Sequence, residues 1–265
     1  MTIAVVIPLG IIGAVFGSFV GALTWRMHQK MNWVNSRSIC EHCKHKLNVL
    51  DLIPIFSWLF LRGKCRYCHK PIGWLAFVLE VGEAVAFVTS YLFWPLGEIE
   101  SILFAIWLII VVFFTALLVY DARWRLLPDK LLWPLVGVAA VFAILNNIFV
   151  QHLNVFDFLT GIGLAMLPVA GVYGVLYLIS RGRWIGLGDV KFGLVVGLIV
   201  SPIGAILVLA GANFIGTLAM LPLLLARKLN MNSKIPFGPF LIAATFFTFL
   251  LSNNLIDLVE KYFLY

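Results

Sequence analysis

Charge is what this sequence has least of. Only 12% of its 265 residues are Asp, Glu, Lys or Arg, against 62% hydrophobic, a balance that excludes an ordinary soluble globule and places the chain among membrane proteins. Alternation of apolar and polar residues is missing too. The run "LFAIWLIIVVFFTALLVY" is apolar on every face, which excludes a transmembrane barrel and leaves helices. No basic stripe sits on a separable domain, so nucleic acid is not an expected partner. No basic residue precedes the first apolar run, residues 3–24, whereas Arg26 and Lys30 follow it; it reads as a retained anchor and not as a cleaved signal peptide. Cysteine is scarce, four residues in all, and each lies in a C-x2-C pair.

What is present is a series of apolar runs long enough for a bilayer core of roughly 30 Å. They fall at about residues 3–24, 72–95, 101–120, 131–150, 157–180, 190–200, 203–226 and 237–258, predicting an all-α, polytopic membrane protein with about eight transmembrane segments. The sixth is short, because Ser201-Pro202 interrupts it. Alternating these segments across the bilayer puts Arg26, Lys30, Arg37, Lys44, Lys46, Arg62, Lys64, Arg66 and Lys70 on one side, together with Arg123, Arg125, Lys130, Arg181, Arg183, Lys191, Arg227, Lys228 and Lys234. Of the nineteen basic residues only Lys261, in the tail, is left out. The positive-inside rule makes that side cytoplasmic and turns both termini outward. The net charge of +7 then describes orientation and attraction to anionic lipid. Three stretches follow: a first transmembrane segment at 1–24, a cytoplasmic loop at 25–71, and a helical membrane bundle at 72–265.

The loop carries Cys40, Cys43, Cys65 and Cys68, two C-x2-C pairs separated by twenty-one residues. Each pair presents two thiolates from one turn, and two such turns complete a tetrahedral Zn2+ site. A cytoplasmic location argues against permanent disulfides, and a loop this short has little core of its own, so the zinc is expected to be structural. Four free buried cysteines, or a redox pair, form the bland alternative. His42, His45 and His69 lie close by as solvated or supporting groups.

Two acidic sites stand at cytoplasmic ends of spans: "VYDARWRLLPDK", with Asp121 and Asp129, and "IGLGDVKF", with Asp189 and Lys191. Alternation puts Asp121 and Asp189 at one depth on different helices. Two carboxyls so placed can share a proton, one ionised to activate water and the other protonated to polarise a carbonyl. Gly186 and Gly188 beside Asp189 allow a tight turn and close approach of a substrate strand. Each acid alone has a plainer reading, Asp189 as the N-cap of the following helix and Asp121 as an interfacial partner of Arg123 or Arg125. The matched positions favour the pair. Asp129 follows Pro128 and suits a helix start, and Glu80 and Glu83 lie two to three turns into the second span, as functional acids or as polar helix contacts.

"FGSFV", the two C-x2-C pairs flanking "DLIPIFSWLFLRGKCRYC", "YDARWRLLPD", "GLGDVK" and "PFGPF" occur together in one order, and with them the chain resembles the bacterial prepilin peptidases over nearly its whole length. The resemblance implies a multi-pass inner-membrane aspartic endopeptidase that removes basic leader peptides from type IV prepilins or pseudopilins at the cytoplasmic face. It implies Asp121 and Asp189 as the catalytic pair and Cys40, Cys43, Cys65 and Cys68 as zinc ligands. The YD and GxGD pair is also similar to that of presenilin-type proteases. Many members of the family methylate the new N-terminus with S-adenosylmethionine, for which no separate donor motif stands out. The chain departs from the family at Gly21, usually Asn, and at Glu41, commonly Pro. The rival reading is an ion-coupled transporter with an intramembrane carboxylate site, which leaves the cysteines idle; a zinc-stapled scaffold without chemistry is a third.

Overall fold

A computed structural model describes residues 2–32, 38–97, 100–226 and 236–252. Arg37, Arg227, Lys228, Lys234, Lys261 and the end of the eighth expected span lie outside these residues. The chain forms two compact units, Met1–Leu92 and Phe93–Tyr265.

The first unit is a helix pair with a loop between its members: α1 (Thr2–His28), the short α2 (Phe56–Phe60) and α3 (Trp74–Leu92). Helices α1 and α3 pack on each other through small residues. A Cβ on Gly13 would come within 2.7 Å of the Glu83 carbonyl oxygen, and one on Gly17 would run into the Leu79 carbonyl. Glycines four apart let two backbones approach closely where lipid offers no hydrophobic drive for association. So α3, which the sequence groups with the later bundle, is the partner of α1.

The second unit holds α4 (Ser101–Trp124), α5 (Asp129–Asn146), α6 (Val155–Met166), α7 (Val172–Ser180), α8 (Leu187–Ile199), α9 (Pro202–Leu225) and α10 (Gly238–Leu250). A π-helical turn, Leu167–Gly171, joins α6 to α7 without breaking the rod. Aromatic rings fill the interior: Trp107 stacks on Phe249 with centroids 4.0 Å apart, and Phe114 lies 5.5 Å from Phe192. Helix α8 is buried among its neighbours. Gly193 and Gly197 repeat the four-residue spacing, and a Cβ there would strike Ala170 and Met166.

Among the described residues six helices are long and apolar enough to cross a membrane: α1, α3, α4, α5 with its π-helical end, the α6–α7 rod, and α9. The protein is a multi-pass membrane protein. Helix α8 has 13 residues, about 20 Å, well short of a roughly 30 Å core. It begins at Leu187, three residues before the expected start of the sixth segment, with Gly186 as its N-cap. Its far end is set by Ser201-Pro202, where Ser201 Oγ accepts the Gly204 N–H at 3.1 Å and opens α9.

Candidate active site and metal centre

In the first unit the cysteine loop is built from two near-copies of one turn. Cys40 N–H donates to the His45 carbonyl and Cys65 N–H to the Lys70 carbonyl, each at 2.9 Å. Lys44 and His69, each four residues after the first cysteine of its turn, both adopt positive φ, 57° and 54°. The turns bring the sulfurs of Cys40, Cys43, Cys65 and Cys68 within 4.8 Å of one another, and Cys40 Sγ lies 3.9 Å from Cys68 Sγ. A tetrahedral ion with metal–sulfur bonds of about 2.3 Å needs sulfurs about 3.8 Å apart, so the four thiols suit a metal ion. Their protonation points the same way. Burial raises the Cys40 thiol, but the backbone N–H groups of Cys43 and His42 outweigh it and hold the group at about 7. At Cys68 the backbone hydrogen bond at Lys70 favours the thiolate, yet burial and the neighbouring sulfurs push it up to about 11. Four clustered thiolates repel one another, and a cation removes that cost.

Asp51 fastens the loop. Its carboxylate accepts the Asn48 N–H at 3.0 Å, Arg66 Nε at 2.6 Å and the Tyr67 hydroxyl at 3.1 Å, joining the 48–51 turn to the second cysteine pair. His45 lies against Tyr67, ring centroids 3.8 Å apart, as a packing group beside the cluster. Glu80 is buried in α3, 6% exposed. It accepts the Ile55 N–H at 2.6 Å and a hydrogen bond from Ser18 of α1. Glu80 is therefore a polar contact between helices and loop.

In the second unit, Asp121 lies in the last turn of α4 and is 6% exposed. Its Oδ2 accepts the Gly238 N–H, at the start of α10, at 3.0 Å. No ion pair joins it to Arg123 or Arg125 among the described residues. Asp189 lies in the first turn of α8, so the N-cap reading of that residue passes to Gly186. The Asp121 charge bears on Asp189, and the Asp189 charge bears on Tyr173 of α7. The ends of α4, α8 and α10 thus converge on the two acids, with Tyr173 of the α6–α7 rod beside Asp189. Gly186 sits beside the Asp189 carboxylate, and Gly188 is packed so closely on Leu127 that a Cβ would come within 2.8 Å.

Asp129 and Lys191 go elsewhere: they pair with each other at 2.6 Å, tying α5 to α8. Asp129 is the first residue of α5, with Pro128 as the N-cap. The sequence reading missed Gly238. A Cβ there would lie 2.7 Å from Asp121 Oδ2, so only glycine lets that backbone reach the carboxylate. Its one signal is a glycine between two Pro-Phe steps in "PFGPF".

These features define an integral membrane protein with two acids converging at one end of a helical bundle and a four-thiol loop on a separate helix pair. The family described as "Bacterial Peptidase A24 N-terminal domain" matches residues 11–94, and the "Type IV leader peptidase family" matches residues 102–221. The chain is 32% identical over 228 residues to the prepilin leader peptidase/N-methyltransferase of Dichelobacter nodosus, covering 84% of this chain and 73% of that protein. It is 29% identical over 260 residues to the protein of the same name from Pectobacterium carotovorum subsp. carotovorum, covering 88% of each. With that of Aeromonas hydrophila it shares 28% identity over 231 residues, 84% of this chain and 74% of the relative. The chain belongs to the type IV leader peptidase family. No solved structure matches it.

Proposed function

We propose that this protein is an aspartic endopeptidase of a bacterial inner membrane that cuts the leader from prepilin or pseudopilin precursors at the cytoplasmic face, with Asp121 and Asp189 as its catalytic pair. The observation that carries the reading is the convergence of Asp121 and Asp189 from the ends of α4 and α8 within electrostatic range of each other. Family membership supplies the substrate class. One carboxylate takes a proton from water as its oxygen attacks the peptide carbonyl; the other, protonated, donates to the carbonyl oxygen and stabilises the charge that develops there. The proton gained by the first is then available to the departing amine. Gly238 fixes one oxygen of Asp121 and leaves the other for this work. Gly186, exposed beside the Asp189 carboxylate, leaves room for an extended substrate strand, while Gly188 lets Leu127 pack against the turn.

Cys40, Cys43, Cys65 and Cys68 would hold zinc, which when bound supplies structure to the loop. Methyl transfer from S-adenosylmethionine to the new N-terminus is a second activity suggested by the names of the relatives. Co-expression with a prepilin, read by mass, tests the proposal. The wild type is expected to shorten the precursor, and an added methyl group marks the second activity. Asp121→Asn and Asp189→Asn are each expected to lower cleavage by about 10²–10⁴-fold, the usual worth of a positioned acid or base. Normal shortening by either variant would refute the dyad.

A further inference from the structure

The segment between the two cysteine pairs exposes apolar side chains to an unusual degree. Val49 is 76% exposed and Phe60 84% exposed, and Leu50, Ile53, Phe56 and Leu59 are open as well. Phe56, Leu59 and Phe60 share one face of α2 by their spacing. A patch of this kind on a soluble loop would invite aggregation or mark a binding surface.

The depth at which the patch is held indicates what covers it. Helix α3 has 19 residues, about 28 Å, close to the thickness of a bilayer core. Glu80 comes six residues after Trp74, about 9 Å along the helix, and helical side chains lean back toward the N-terminus. Its carboxylate takes the N–H of Ile55, the residue before α2, at 2.6 Å. Ile55 has φ 64° and ψ −55°, and Phe56 N–H reaches back to the Pro54 carbonyl at 2.6 Å. This is a γ-turn that a β-branched residue adopts only when held there. Trp58 adds a second tie: its ring lies 4.7 Å from Trp74 and 4.8 Å from Phe77, and its Nε1 donates to the Ile72 carbonyl at 3.3 Å. Helix α2 is thus fixed beside the first two turns of α3, within the span. Its open face continues the outward surface of that span, where Trp74, Leu75 and Val78 are exposed.

We propose that residues 49–60 form an interfacial anchor whose apolar face enters the lipid leaflet in which α3 begins. Around it the exposed side chains of Arg62, Lys64 and Lys70 suit anionic headgroups, the pattern of helices that lie in the membrane plane. A protein partner would have to displace lipid from a surface already at membrane depth. Glu80 then acts as the peg that sets insertion depth, and the thiol cluster holds the returning strand.

The test is site-specific photocrosslinking of the full chain in bacterial membranes. A benzophenone amino acid is placed at Leu50 or Phe60, with exposed Glu41 on the first cysteine turn as the control. Irradiation is expected to add one phospholipid mass at positions 50 and 60 and none at 41. Adducts confined to protein at 50 and 60, whether to a co-expressed prepilin or within the chain itself, would overturn the proposal, as would no adduct there.

Discussion

Glu80 and Asp51 in the first unit and Asp121 in the second differ in how many donors hold them. In the first, Glu80 is held by Ile55 and Ser18, and Asp51 by Asn48, Arg66 and Tyr67. In the second, Asp121 is as buried as Glu80 yet receives one hydrogen bond, from Gly238, among the described residues. An ionised carboxylate offers about four acceptor positions, and leaving them unfilled in a buried setting is costly. Acids that fasten a fold fill those positions. The proposed role of Asp121 requires the reverse, since an acid that binds water and substrate needs those positions open. Burial therefore does not distinguish Glu80 from Asp121; hydrogen-bond saturation does.

Metal removal should separate the units most sharply. Structural zinc contributes on the order of 10 kcal/mol to small thiolate sites, so chelation or Cys65→Ser is expected to open residues 38–72 to protease. Helices α4 to α10 should keep their protection, since their aromatic core owes nothing to the thiols. Limited proteolysis followed by mass mapping reads both at once. Equal loss of protection in the two units would show that the division is wrong.

Gly238→Ala comes next. The added methyl would meet Asp121 Oδ2 at 2.7 Å, so the carboxylate or the start of α10 must shift. A displacement near 1 Å at a catalytic group costs about 10²-fold in rate. Prepilin cleavage should fall by that order while the metal content of the thiol cluster is unchanged. Full activity would mean that Asp121 does not depend on its single donor.

Much of this arrangement was legible in the sequence, and the reasons differ by element. Loop charge predicts which loops share a side of the membrane, and that alternation expects Asp121 and Asp189 at one depth; in the structure the end of α4 and the start of α8 carry them within electrostatic range of each other. The C-x2-C spacing is local chemistry, and its two turns form as the spacing implies. Contacts between distant segments were not legible. Gly238 meets Asp121 across 117 positions, and nothing near Ile55 announces a γ-turn pinned by an acid of another helix. The apolar run after Asp189 predicts the sixth segment from residue 190, whereas α8 begins at Leu187, its helix running through the charged residue and the poorly helical "GLGD". Gly13 and Gly17 did carry a readable small-residue spacing, which would have paired α1 with α3.

Asp51 offers a smaller test on the saturated side of the comparison. Burial raises its carboxyl, but Asn48, Arg66 and Tyr67 together outweigh burial and leave the pKa below the ordinary aspartate value. A depressed carboxylate stabilises the fold fully above the unfolded value of about 3.9, and the gain is lost as pH falls through the folded value. Asp51→Asn should loosen the loop by about 1–3 kcal/mol at neutral pH. The gap between the two proteins, followed by hydrogen exchange at residues 48–67, should close in acid. Both carry the same thiols, so loss of metal affects them equally. A gap that widened in acid would reverse the assigned role.

The smallest effect is expected at Lys191 and Asp129. Lys191 stands two residues after Asp189 and Asp129 eight after Asp121, which makes both natural candidates for the site, yet the two close on each other at 2.6 Å with the Asp129 side chain 60% exposed. Solvent and salt screen such a pair, and exposed ion pairs contribute about 0–1 kcal/mol. Lys191 also lies 5.7 Å from the Trp133 ring centroid, so Lys191→Met keeps the stem packing and removes only the charge. Cleavage by this variant and by Asp129→Asn should stay within about fivefold of wild type, the rate equivalent of that 1 kcal/mol. A loss comparable to that of Asp121→Asn would extend the unsaturated, working part of the bundle to α5. A change within fivefold would confine it to the ends of α4, α8 and α10.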